Sequence, residues 1–170
     1  KVMTAKIVIG AYGKRSKLDI NLGRSFIKSK SPFIGVKTHL KGDFPEDLVA
    51  LHNFKGGYCG VSQVENGNIN VCFLANYKTF QQHKNIETYK QEVLYKNKHL
   101  KSIFENSVPV FEQPLTISQI SFLNKSPVEE HILMCGDAAG MIHPLSGNGM
   151  AIAIHSAKIA SELIIKYFNK

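Results

Sequence analysis

The chain has 170 residues, enough for one ordinary domain, and its 44% apolar and 20% charged residues support a sizeable core and exclude a wholly disordered chain. We expect neither a membrane-spanning segment nor a secretory signal, because no apolar run approaches roughly 18 residues. The three cysteines are widely spaced and form no Cys-x-x-Cys pair. This pattern argues against a disulfide framework or a zinc knuckle and favours a cytoplasmic protein.

Basic residues outnumber acidic ones by 21 to 13, which gives a net charge of +8. Such a charge raises one alternative function, a non-enzymatic basic module that binds RNA or an anionic lipid surface. Only Arg15 and Arg24 are arginines, however, and the lysines are scattered, whereas nucleic-acid readers favour the rigid fork of arginine. We therefore interpret the charge as a solvated surface and do not expect a nucleic-acid partner.

The first half of the chain reads as strands. Residues 6–11 form a β-branched run stopped by glycine, which predicts a buried strand, and the polar stretch 25–32 marks a crossing between regions. Four strand-like runs separated by turn signals then predict an antiparallel meander. These runs are 33–40, 47–54, 58–64 and 69–74. Between the last two, Asn66-Gly67 predicts a two-residue hairpin, since both residues tolerate positive φ.

The second half mixes helices and strands. Apolar residues at helical spacing predict one amphipathic helix over 86–106. The alternation over 115–122 predicts a strand, and its change of parity leaves room for a bulge. The short apolar run 131–135 predicts a second buried strand. The run 148–168 predicts a helix, and the alanines around its first half predict close packing on several sides.

This order of elements predicts the fold class α/β plus α+β. The two ends of the chain, 1–31 and 124–170, are expected to form one α/β layer. An antiparallel sheet with its helix is expected as an insertion over 32–123.

Residues suited to chemistry gather in one strand, loop and helix between Met134 and Ala151. Asp137 follows the carboxyl end of a predicted strand, where its carboxylate can accept hydrogen bonds from ligand hydroxyls. Gly147 and Gly149 bracket the start of the last helix, whose unpaired N–H groups and dipole favour negative charge. The alternative is that the glycines are only turn and cap residues and that Asp137 only caps a short helical turn.

The order Gly-Asp-Ala-Ala, then Pro, then Gly-x-Gly-Met-Ala at a helix start resembles the second flavin-binding motif of the p-hydroxybenzoate hydroxylase-like FAD-dependent oxidoreductases, most closely their geranylgeranyl reductase branch. The resemblance implies a Rossmann-like FAD-binding layer with an inserted substrate-domain sheet. It also implies that Asp137 holds the ribityl chain and that the backbone of 147–150 stabilises negative charge on the reduced ring. The implied cofactor-binding residues of this motif are Gly136, Asp137, Pro144, Gly147, Asn148, Gly149 and Met150.

A second, shorter match lies near the start, where the family runs a strand into Gly-Ala-Asp-Gly-x-x-Ser. Gly10 and Gly13 stand at the glycine positions, which makes them further candidate FAD contacts, and Ser16 matches the serine. Tyr12 replaces the acidic residue. Since the family's acid organises the nicotinamide phosphate region, the resemblance leaves open whether NAD(P)H or another donor supplies electrons. The alternative is a plain strand-to-loop turn.

Two residues are candidates for catalysis. His143 in the flavin-side loop can be a general acid or a substrate contact, and the alternative is a surface or capping residue. Tyr58 keeps the tyrosine of the geranylgeranyl reductase segment Tyr-x-Trp-x-Phe-Pro, but the other three residues are absent, so a long isoprenoid substrate is not implied. Tyr58 either faces the substrate cavity or packs in the sheet. No histidine pair has metal-ligand spacing, and we expect no metal.

The Gly-x-Gly-x-x-Gly fingerprint that grips the adenosine half of FAD does not occur in this chain, which opens at Lys1. We therefore expect the C-terminal part of a larger flavoenzyme, which by itself holds FAD poorly or not at all. The predicted function is the FAD-dependent reduction or monooxygenation of a small organic or lipid-like substrate.

Overall fold

The computed structural model describes residues 3–118 and 120–170. The chain divides into two compact units: the sheet unit, Ser31–Ile120, and the split unit, which joins the chain up to Lys30 with Ser121–Lys170. Within the described residues, no helix is both long and apolar enough to span a bilayer. In chain order the elements are β1 (Val8–Gly10), α1 (Lys17–Asn21), β2 (Phe33–Lys41), β3 (Val49–Phe54), β4 (Gly57–Gln63), β5 (Ile69–Asn76), α2 (Tyr77–Phe80), α3 (Ile86–Glu92), α4 (Lys98–Glu105), β6 (Val108–Pro109), β7 (Leu115–Ile117), β8 (Val128–Glu129), β9 (Ile132–Met134) and α5 (Gly149–Phe168).

The strands of the sheet unit are antiparallel and lie in the order β3-β4-β5-β2-β6, with β7 also paired to β2. β3, β4 and β5 follow the predicted meander, but the prediction was wrong about β2, which pairs with β5. The register explains this choice. Val36 lies opposite Phe73 and Leu40 opposite Ile69, and all four side chains are buried. The pairing thus gives the sheet one continuous apolar face.

The hairpin between β4 and β5 is confirmed, with φ of 63° at Asn66 and 69° at Gly67. Its connection is longer than the predicted two residues. The Val64 N–H donates to the Asn68 carbonyl at 2.8 Å, which leaves the three residues Glu65–Gly67 in the turn. Three-residue hairpin loops use a left-handed residue in this way.

The single helix predicted over 86–106 is in fact two helices, α3 and α4. A 3-10 turn, Leu94–Lys96, lies between them. Asn97 then caps α4, because its side chain accepts the first N–H groups of that helix. With this break, both Tyr89 of α3 and Leu100 of α4 are fully buried.

The strand predicted over 115–122 is shorter in the structure. β7 pairs with β2 only over Leu115–Ile117, and Gln119, within the predicted strand, lies outside the described residues. The N–H of buried Ile120 donates to Ser31 Oγ at 3.2 Å, so a side chain replaces a ladder partner there. The change of parity in the sequence follows the end of β7.

The split unit holds a small sheet in the order β1-β9-β8 and the helix α5. β1 runs parallel to β9 and β8 antiparallel to it. The predicted strands and helix are confirmed, and Met134 and Cys135 at the end of β9 are buried as expected. The predicted burial was wrong for most of β1 and for α5. Val8 and Ile9 are 47% and 48% exposed, and α5 has no buried residue. Ala153 of α5 packs closely on Gly136, whereas Ala151 and Ala157 are exposed.

Candidate functional site

The chain after β9 enters a tight turn that carries Asp137. This segment, Gly136–Ala138, is here named the Asp137 turn, and Gly136 has a φ of 59°. A Cβ at Gly136 would lie 3.1 Å from the Cβ of Ala153, so glycine serves both the backbone conformation and the close approach of α5. The Gly136 N–H donates to Ser156 Oγ at 2.9 Å, which ties the turn to the helix. Among the described residues no side chain caps this turn, so the capping alternative for Asp137 is not supported.

The N-terminus of α5 is open to a ligand. Gly147 has a φ of 67°, and a Cβ built at Gly147 or Gly149 would meet no atom of the described residues within 4 Å. The first N–H groups of a helix lack partners within it and carry the positive end of its dipole. The N–H group of Gly147, one of the expected ligand contacts, already has a partner within the loop, however. The Gly147 N–H donates to the Pro144 carbonyl at 3.0 Å, so within 147–150 only the later N–H groups remain as predicted contacts.

His143 has a capping role in this loop. Its Nδ1 accepts the Leu145 N–H at 3.3 Å, and its carbonyl accepts the Ser146 hydroxyl at 2.9 Å. Pro144 follows at the start of a 3-10 turn, and the His143 ring stacks on Phe122 with centroids 4.8 Å apart. These contacts support the capping alternative, and a catalytic role of His143 stays a prediction.

The first loop folds back through α1. Gly10 is buried at the end of β1, where a Cβ would lie 2.5 Å from Met134 Sδ, and Gly13 has a φ of 81°. Ser16 caps α1 with its hydroxyl. The Asp19 carboxylate accepts the Ser16 N–H at 2.7 Å in return, which completes a capping box.

The structure also shows an acidic residue beside Tyr12. The Tyr12 hydroxyl donates to Asp19 Oδ1 at 2.7 Å, and Arg24 donates to both of them at 3.1 and 2.9 Å. The side chains of Asp19 and Arg24 are 0% and 2% exposed. Burial alone would raise the pKa of Asp19, but hydrogen bonds from Tyr12, Arg24 and the Ser16 N–H hold it below its ordinary value. This negative charge is therefore neutralised inside the unit and is not presented to a ligand.

Two cations bind the backbone carbonyls of the Asp137 turn. Arg24 Nη1 donates to the Ala138 carbonyl at 2.9 Å. Lys125 Nζ donates to the carbonyls of Asp137 at 2.6 Å and Lys14 at 2.8 Å. We name Arg24 and Lys125 the carbonyl clamp. Neither role was predicted from the sequence. The signals available there were the scarcity of arginine and the capping-box spacing of Ser16 and Asp19, shortly before Arg24.

The sheet unit contains an apolar cavity of about 680 Å³. Its lining includes Val36 and Phe73 from the buried sheet face and Phe104 from α4. Lys90 and Glu87 also line it, and they form an ion pair at 2.6 Å. A cavity of this size and character suits a small apolar ligand.

Tyr58 lies on the opposite face of the sheet. Cys59 and Val61 are the buried residues of β4 and share the face of the cavity, and successive strand residues point to opposite faces. Tyr58 therefore does not line this cavity, and its contact with a substrate stays a prediction. Burial raises the pKa of Tyr58 above its ordinary value.

Solved flavoproteins share this fold. A flavoprotein/dehydrogenase from Cytophaga hutchinsonii matches with a TM-score of 0.75 at 18% identity, over 96% of this chain and 41% of its own. A triple mutant of the flavin-dependent brominase Bmp2 matches with a TM-score of 0.74 at 16% identity, over 97% and 44%. A mutant of the halogenase PltM in complex with FAD matches with a TM-score of 0.67 at 18% identity, over 90% and 35%. The predicted fold class is confirmed, and the chain shares its fold with these flavoproteins.

The family follows from the sequence. The profile of the squalene epoxidase family matches residues 5–169, and the chain belongs to this family. Membership confirms the predicted class, an FAD-dependent enzyme, with FAD as the cofactor of that class. The more specific resemblance to the p-hydroxybenzoate hydroxylase-like enzymes and their geranylgeranyl reductase branch is not confirmed. A basic module for RNA or lipid is not favoured.

Two curated proteins match shorter segments. Conditioned medium factor receptor 1 of Dictyostelium discoideum is 41% identical over 46 residues, which are 27% of this chain and 9% of that protein. An uncharacterized protein of Methanocaldococcus jannaschii is 36% identical over 74 residues, 44% of this chain and 19% of its own. The chain thus spans a minor part of these relatives, and less than half of each structure above.

Proposed function

We propose that this chain supplies the ring side of an FAD site and the substrate domain of an FAD-dependent monooxygenase. The observation that carries the proposal is one loop that joins a partly buried carboxylate, Asp137, to the open N-terminus of α5. The glycines leave room for a ligand at the backbone, so the residues present fit the cofactor. FAD supplies the redox chemistry when bound, and the protein supplies orientation and electrostatics.

Each part of the loop has its own role in this proposal. The Asp137 carboxylate accepts hydrogen bonds from the hydroxyls of the ribityl chain. The N–H groups of Gly149 and Met150, at the positive end of a 20-residue helix, stabilise negative charge on the flavin ring. Gly10 and Gly13 border the same site in the first loop.

The proposed substrate is a small organic or lipid-like molecule. The apolar lining of the cavity in the sheet unit supports such a ligand. Membership in the squalene epoxidase family favours oxygenation over reduction, a choice that the flavin motif left open. NAD(P)H or another electron donor completes the reaction.

The proposal is tested with Asp137→Ala in the full-length protein. The FAD dissociation constant, measured by flavin fluorescence, is expected to rise by about tenfold or more, the cost of hydrogen bonds to a charged group. Asp47→Ala, at an exposed aspartate before β3, is the matched control and leaves the constant unchanged. Equal FAD affinity in the wild type and Asp137→Ala refutes the proposed role.

A further inference from the structure

We infer that the carbonyl clamp, and Lys125 in particular, positions the Asp137 turn for its ligand. This inference rests on the proposed function of Asp137 and adds two residues that no motif names. Lys125 and Arg24 are positioning residues, since they act through the backbone of the turn.

Lys125 joins the two loops that carry the flavin motifs. One ammonium group donates to the Lys14 carbonyl in the first loop and to the Asp137 carbonyl in the second, at 2.8 and 2.6 Å. The same Nζ lies 4.3 Å from the centroid of the Phe26 ring, a cation–π contact. Lys125 thus contacts two backbone carbonyls and an aromatic ring, although the scattered lysines of the sequence were interpreted as a solvated surface.

Ser156 and the carbonyl clamp together hold the backbone on both sides of the Asp137 side chain. Before it, the Gly136 N–H is bound by Ser156 at 2.9 Å. After it, Lys125 donates to the Asp137 carbonyl at 2.6 Å, and Arg24 donates to the Ala138 carbonyl at 2.9 Å. Because each peptide group is planar, fixing a carbonyl also fixes the N–H on its far side. The direction in which the carboxylate leaves the turn is therefore set by these partners.

The charges around Lys125 give the clamp a pH dependence. Asp19, Arg24 and Asp137 all face its ammonium group, and Lys14 faces Asp137. Burial lowers the pKa of Lys125, and the positive charge of Arg24 lowers it further. The negative charges of Asp19 and Asp137 raise it, but the resulting pKa stays below the ordinary value for lysine. The clamp is thus expected to loosen in the alkaline range before surface lysines titrate.

The experiment compares Lys125→Met, which keeps the apolar stem and removes the charge, with Lys125→Arg, which keeps the charge. The control is Lys28→Met, at an exposed lysine of the same unit. Without flavin, amide exchange over 136–140 is expected to speed up by about tenfold or more in Lys125→Met only. With flavin, the FAD dissociation constant of the full-length protein rises by about tenfold in Lys125→Met and by less than about threefold in Lys125→Arg.

A pH series separates positioning from simple stability. The wild type is expected to lose FAD affinity as the pH rises into the alkaline range. In Lys125→Met this alkaline loss of affinity is expected to be absent. Unchanged amide exchange in Lys125→Met overturns the inference. The inference is also overturned if Lys125→Met shows faster amide exchange but keeps the FAD affinity of the wild type and its alkaline loss. The clamp would then only stabilise the fold. If Asp137→Ala binds FAD normally, it is the proposed function that fails, while the exchange result still decides whether Lys125 holds the turn.

Discussion

The two units are stabilised in different ways. Among its described residues, the sheet unit has a cluster of 14 buried apolar residues on one sheet face and beneath α3 and α4. In the split unit the buried set includes the charged residues Asp19 and Arg24, and α5 has no buried residue. Apolar burial is non-directional, whereas buried ion pairs and hydrogen bonds fix particular atoms. The geometry of the Asp137 turn therefore depends on a few polar contacts in the split unit.

Arg24→Met is the strongest test of this contrast. It leaves the Asp19 carboxylate buried without its cation, and such a loss is expected to cost about 3–5 kcal/mol of unfolding free energy. Urea denaturation with amide exchange measures the loss and locates it in the split unit. Arg15→Met, at the other arginine, is expected to stay within about 0.5 kcal/mol of the wild type. Equal stability of the two variants contradicts a dependence on the ion pair.

Leu100→Ala tests the apolar side of the contrast. Leu100 is 0% exposed, and truncation is expected to cost about 3 kcal/mol through lost burial and a cavity. The faster amide exchange is expected in β2 and β5, with the split unit unaffected. Leu51→Ala, at a side chain 55% exposed, is the control. A loss no larger than the control's shows that Leu100 does not belong to the core.

Gly136→Ala tests the close approach of the Asp137 turn to α5. A side chain at a φ of 59° is strained, and the new Cβ lies 3.1 Å from that of Ala153. The expected cost is about 1–3 kcal/mol, measured by thermal unfolding. Gly140→Ala is the control, since its Cβ meets no atom of the described residues within 4 Å. Similar melting temperatures for the two variants argue against the strained turn.

The smallest expected effect is a pH dependence in the sheet unit. Burial lowers the pKa of His52, and the ring of His99, 5.7 Å away, lowers it further. Because the folded state disfavours the proton, stability is complete above the ordinary pKa of 6.5 and falls as the pH drops below it. The slope stays under about 1.4 kcal/mol per pH unit, the limit for one proton. Denaturation at several pH values is expected to show this slope in the wild type and a weaker one in His52→Gln; equal slopes exclude His52 as the cause.

Local signals in the sequence predicted most of the individual elements. The Asn66-Gly67 turn and the strand runs were predicted because positive φ and period-two alternation are properties of a few neighbouring residues. The partner of β2 was not predictable in this way, because it depends on which distant strand completes the buried face. The break at Asn97 was missed since apolar spacing continues through it, although asparagine is a favoured cap.

The same distinction between local signals and distant contacts holds for the candidate site. The sequence by itself determined the flavoenzyme motif, the glycines of the Asp137 turn and the start of α5, because each is encoded by residue type at short spacing. Only the tertiary structure decided that Tyr12 pairs with Asp19 and that the clamp holds the turn, through bonds that join Arg24 to Ala138 and Lys125 to Lys14 across 114 and 111 residues. The clamp's acceptors are backbone carbonyls, which every residue carries, so no sequence pattern marks them.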